Sequence, residues 1–82
     1  MWNYRVMRHV EGGSRYWYGL HEVYYNKQGK ICAWTDDSLV PVRESIDELE
    51  EELTMMLSDV KKSKHDVLDY DMEPEGDFEE GE

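Results

Sequence analysis

Apolar and polar residues alternate with a period of two through the first third of the chain. After residue 45 the period changes to that of a helix. From Trp2 to Val10, Trp2, Tyr4, Val6 and Val10 fall on one face, and Asn3, Arg5, Met7 and His9 on the other; Arg8 breaks the pattern. Glu11-Gly-Gly-Ser14 is a turn signal, and Tyr16 to Tyr25 reads as a second strand. Asn26-Lys-Gln-Gly29 predicts a type I turn closed by a left-handed glycine, which leads into a short third strand over Lys30 to Thr35. Residues 36–44, which contain Pro41, read as a loop.

Loop lengths fix a register for the two hairpins. The first loop sets Val10 opposite Tyr16 and Val6 opposite Leu20. The second sets Asn26 opposite Lys30 and Tyr24 opposite Cys32. Even-numbered residues then share a face made of Trp2, Tyr4, Val6, Tyr18, Leu20, Tyr24, Cys32 and Trp34. Glu22 joins them between Tyr4 and Trp34. A buried carboxylate there needs a partner, from a Tyr hydroxyl, the Trp34 indole or Arg8, unless a bulge turns it outward.

Ser45-Ile-Asp-Glu48 is a capping box and opens the helix. Ile46, Leu49, Leu53, Met56, Leu57 and Val60 follow at helical spacing. Acids crowd the first turns, and Lys61, Lys62 and Lys64 stand at the end, which suits the helix dipole. The predicted fold is α+β: a three-stranded antiparallel meander in β-β-β-α order, with one amphipathic helix packed on its even-numbered face. Residues 1–63 form the domain. Residues 64–82 form an acidic tail, disordered from Glu73 on, with Val67, Leu68 and Tyr70 able to tuck against the domain edge.

A helix on the even face leaves the odd face bare. Met7, Trp17, Val23, Tyr25 and Ile31 lie there, with Arg5 and His21 among them, and together they predict an interface. The commonest solution is a second copy of the chain, so a homodimer is the expected assembly. A different protein and the chain's own C-terminal segment are the next candidates. A nucleic-acid platform comes last, because only Trp17 and Tyr25 are available for stacking.

Charge sharpens the picture. Residues 1–40 carry a net +1 and residues 41–82 a net -12. That excess of acid repels duplex DNA and suits a basic protein partner. The acids expected to make that contact are Asp47, Glu48, Glu50, Glu51 and Glu52 on the outer face of the helix, and Asp69, Asp71, Glu73 and Glu75 in the tail. Cys32 is the one cysteine, which points to a buried thiol in a reducing compartment. The N-terminus has no secretory signal pattern, and no apolar run is long enough for a bilayer, so a cytoplasmic protein without membrane association is expected.

Catalytic chemistry has little to work with. His21 and Glu22 point to opposite faces of a strand. His9 and His21 share a face but stand apart along the hairpin. Cys32 has no histidine beside it, and three scattered histidines make no metal site, so no catalytic residue, metal or cofactor is expected. Asp71, Glu73, Glu75, Gly76 and Glu82, with Phe78, match the spacing of an EF-hand loop, but glutamates stand where shorter acids belong and Pro74 interrupts.

The segments Met1-Trp-Asn-Tyr-Arg-Val6, Gly19-Leu-His-Glu-Val-Tyr-Tyr25 and Ala33-Trp-Thr35, followed by a short amphipathic helix, resemble a group of short uncharacterised bacterial proteins over residues 1–70. The element order is also similar to antitoxins of the HicB type. That resemblance implies a small domain that blocks a toxin nuclease, although Asp36 to Arg43 departs from that family's Pro-x-Leu-Pro-Gly-Cys segment. The expected function is a small, acidic, non-enzymatic binding protein or inhibitor that occupies a basic, nucleic-acid-handling protein. An RNA-binding sheet and a purely structural homodimer are the alternatives.

Overall fold

In a computed structural model the protein is described over residues 1–77. The elements are β1 (Trp2–Glu11), β2 (Arg15–Tyr25), β3 (Ile31–Trp34), α1 (Ile46–Ser63) and β4 (Leu68–Asp69). They form an α+β fold with one four-stranded sheet in the order β3-β2-β1-β4. The first three strands are the antiparallel meander expected from alternation. The fourth pairs parallel to β1, with Met7 opposite Leu68.

The first hairpin keeps the expected register, with Val10 opposite Tyr16 and Val6 opposite Leu20. In the second, the Asn26 carboxamide oxygen accepts from the Gln28 and Lys30 N–H groups, and Gly29 takes φ 77°, where only glycine is unstrained. Tyr25 faces Ile31 as expected. A bulge then shifts the pairing, so that Tyr24 faces Ala33 and Val23 faces Trp34. Cys32 is the extra residue. The shift moves Trp34 from the expected even face to the odd face, where it packs on the core.

That core lies on the odd face. Met7, Val23 and Ile31 are buried, with Tyr25, Trp34, Leu68, Tyr70 and Met72 packed against them. The occupant of the uncovered face is therefore the chain's own C-terminal segment, with Met72 taking part and Val67 left exposed. The expected boundary at residue 63 does not divide this fold. Beyond α1, the Tyr70 N–H donates to the Arg8 carbonyl (2.9 Å). The N–H groups of Glu75 and Gly76 donate to the Ile31 carbonyl (2.7 and 3.0 Å). The disorder expected for residues 78–82 lies outside the described residues.

The helix is capped as predicted, because the Ser45 hydroxyl accepts from the Glu48 N–H at 3.1 Å. The Glu48 carboxylate reaches back to that hydroxyl rather than to the Ser45 backbone. Its packing departs from expectation. Tyr4 pairs with Glu22 at a position whose N–H points away from β2, toward the open edge of β1. There Asp59 of α1 accepts it at 3.0 Å. The helix rides along this edge and turns Glu52, Met56, Asp59 and Ser63 inward. The stripe of Ile46, Leu49, Leu53, Leu57 and Val60 lies roughly 90° around the helix from that contact. Ile46 is 84% exposed, Leu57 55% and Leu53 47%. The even face of the sheet is correspondingly bare at its far end, where Val10, Tyr16 and Tyr18 are exposed.

Edge donors left open invite pairing with other chains. Here the edge of β1 is covered at Tyr4 by Asp59 and at Met7 and Arg8 by β4, and the Arg5 side chain holds Asp66 of the segment that joins α1 to β4.

Candidate functional site

The acids expected to bind a partner fall into two groups in two layers of the fold. On α1, Asp47, Glu48, Glu50 and Glu51 are exposed. Glu52 is not part of that surface: it accepts from the Tyr4 hydroxyl (2.6 Å) and pairs with Arg43 (2.6 Å). Burial, together with that carboxylate, holds the Tyr4 hydroxyl well above the ordinary tyrosine range. In the C-terminal segment Asp71 and Glu73 are exposed. Asp69 is exposed but paired with Arg8 at 2.8 Å, and Glu75 accepts from the Ile31 N–H at 3.1 Å.

The residues expected to form a sheet-face interface lie, except for Trp17, beneath or against the chain's own C-terminal segment. Met7, His21, Val23 and Ile31 are buried. Arg5 donates to the Tyr25 hydroxyl (3.1 Å) and to the carbonyl and carboxylate of Asp66 (2.8 and 3.0 Å). Tyr25 in turn donates to the Asn3 carboxamide (2.9 Å). Trp17, 44% exposed, stacks on His9 with ring centroids 3.9 Å apart.

His9 and His21 are not separated as alternation alone predicts. Their Nε2 atoms are 2.9 Å apart, and His9 lies between the rings of Trp17 and Tyr70, stacked on both. Gly19 accounts for this. It sits on the same face between Trp17 and His21, opposite Met7, and has no side chain to keep them apart. A Cβ at Gly19 would run into the Ser38 hydroxyl, which lies 3.4 Å from His21 Nε2. A glycine between two ring-bearing residues of one strand face was the sequence signal for this cluster.

Hydrogen bonding sets the tautomers. The Thr35 carbonyl is an acceptor only, so His21 Nδ1–H donates to it at 2.9 Å. His21 Nε2 is then an acceptor, and His9 Nε2–H donates to it. Protonating His21 sets two N–H donors head to head. Burial first, and the charge of His9 second, push the His21 pKa below its ordinary value, against the Thr35 carbonyl and Asp37. The unfolded chain therefore takes up this proton before the folded one does. Neutral His21 contributes fully above about pH 6.5, and that contribution is lost as pH falls below it. The urea midpoint is expected to drop between pH 7.5 and 5.5. A His21→Gln variant should flatten that slope, whereas His65→Gln, at an exposed position, should preserve it. A midpoint independent of pH across this window would contradict the pairing.

Other candidates have structural partners. Glu22 is half-buried and accepts from the Tyr24 hydroxyl at 2.7 Å, one of the partner types expected for it. This bond, and then burial, raise the Tyr24 pKa. The Cys32 thiol donates to the Tyr24 carbonyl at 3.4 Å. Of the EF-hand match, Glu75 is committed to Ile31 and Gly76 is pressed against Asn26 and Lys30; Phe78 and Glu82 lie outside the described residues. Among the described residues no group of three metal-binding side chains converges, and no helix is long and apolar enough to cross a membrane.

No protein-family model, curated protein or solved structure matches this chain. The functional reading rests on the surface just described.

Proposed function

We propose that this protein is a small acidic binding protein, without catalytic activity, that engages a basic protein through the exposed carboxylates of α1 and the C-terminal segment. Inhibition of a nucleic-acid-handling protein in the cytoplasm, in the manner of an antitoxin or a phage-borne inhibitor, is its concrete form. The single observation that supports this reading is the use of charge within the chain. Arg5 and Arg8 of β1 are paired with Asp66 and Asp69. Asp47, Glu48, Glu50 and Glu51 point to solvent around the first turns of one helix. The two arginines of β1 are thus neutralised within the chain, and these four acids of the helix face outward. Competition for a cationic surface needs no bond chemistry, only shape and charge.

The test compares partner capture by the wild-type chain and by a variant carrying Asp47→Asn, Glu48→Gln, Glu50→Gln and Glu51→Gln. A partner held by the wild type at low salt should be lost by the variant, and should weaken at least about 10-fold on raising salt well beyond physiological strength. Equal capture by both chains would refute the reading. The RNA-binding alternative calls on Arg5 and Trp17. The Arg5 side chain is only 12% exposed and held by Asp66, and Trp17 is stacked on His9. A low-salt shift of single-stranded RNA, abolished by Trp17→Ala, would favour that alternative.

A further inference from the structure

We infer that the exposed stripe of α1 is the seam of an antiparallel homodimer, in which the helix of one copy packs against the same helix of a second. This inference is carried by the apolar flank of the helix and does not need the acidic-surface reading, although Asp47, Glu48 and the rim residue Glu50 belong to both surfaces.

The stripe is a groove lined by Ile46, Leu49, Leu53 and Leu57, with Glu50 and Thr54 on its rim. Its apolar residues are at helical spacing, yet the sheet takes up Met56, Glu52 and Asp59 instead. An apolar stripe of this length is a cost in water unless something covers it.

Two features of the stripe select a second copy. The first is symmetry. A two-fold axis through Leu53 sets Leu53 on Leu53 of the partner subunit, Leu49 on Leu57, and Ile46 on Val60, so every apolar position meets another. Such self-complementarity is the requirement of a two-fold interface. The second is charge. The helix begins with Asp47 and Glu48 in its first turn and ends with Lys61 and Lys62 in its last. An antiparallel pair brings each acidic turn beside the partner's basic one, and opposes the two helix dipoles favourably. A parallel pair would stack acid on acid. Helix axes 8–10 Å apart, as in ordinary helix packing, let these side chains reach across.

The experiment uses the full chain at about physiological ionic strength, which screens the repulsion between two chains of charge -11. Sedimentation equilibrium should give a dimer with a micromolar dissociation constant. Leu53→Lys should weaken it at least about 100-fold, because the axis counts each change twice. Met55→Lys, at an exposed position on another side of the helix, should leave it unchanged. Orientation is read by crosslinking in a Cys32→Ser background. Leu49→Cys mixed with Leu57→Cys should give the mixed disulfide, and Leu49→Cys alone should give none. A single-chain mass up to millimolar concentration would overturn the inference. So would a dimer insensitive to Leu53→Lys, or crosslinking of Leu49→Cys to itself.

Discussion

Removing residues 67–82 is expected to abolish cooperative unfolding of the remaining chain. The truncation takes away Leu68, Tyr70 and Met72, which cover Met7, Val23 and Ile31. It also opens the β1 edge at Met7 and Arg8, and removes the Tyr70 ring from the His9 stack. Half-burying three large side chains contributes about 3–5 kcal/mol at the usual coefficient. A domain of this length has only about 4–12 kcal/mol in total. Circular dichroism on heating should therefore show a broad, low-amplitude change in place of a sigmoid. The full-length triple variant Leu68→Ser, Tyr70→Ser, Met72→Ser should behave nearly as badly, which separates packing from chain length. A sharp transition in either chain would mean that the odd face is stable without its cover.

Met7→Ala should cost about 2–5 kcal/mol, the range for emptying a fully buried methionine site. Met7 is fully buried where β2, β4 and the C-terminal segment meet over β1. Its neighbours come from three separate stretches of chain, so collapse around the cavity would have to shift all of them. Urea denaturation followed by tryptophan fluorescence measures the loss, since Trp34 lies in the same core. Met55→Ala, on the exposed side of α1, should change stability by less than about 0.5 kcal/mol. A loss at Met7 no larger than that at Met55 would mean that the core is elsewhere.

The hairpins and the helix start were legible because each is set by neighbours in sequence. Asn26 and Gly29 define one turn, the paired glycines define the other, and Ser45 with Glu48 defines the cap. What the sequence hid was which face met what. The extra residue at Cys32 turns Trp34 over, and no local signal marks it. The helix stripe pointed to the sheet by hydrophobicity alone, but the open N–H of Tyr4 draws Asp59 to the edge instead. Leu68, Tyr70 and Met72 alternate with acids, a strand period as much as a tail composition. Charge density led to the second reading, yet Arg5 and Arg8 were waiting on β1 to accept Asp66 and Asp69. On the acidic surface, exposure followed from position around the helix except at Glu52, which Tyr4 and Arg43 claim.

The parallel strand at Leu68–Asp69 also sets an order of events during synthesis. Every other strand leaves the ribosome before it, so a nascent chain carries its sheet with one oily side bare until residue 76 has emerged. Completion of this sheet is then a late step that joins sequence positions some sixty residues apart. Overexpression should be sensitive to chaperone supply in proportion to how long that side waits for its cover.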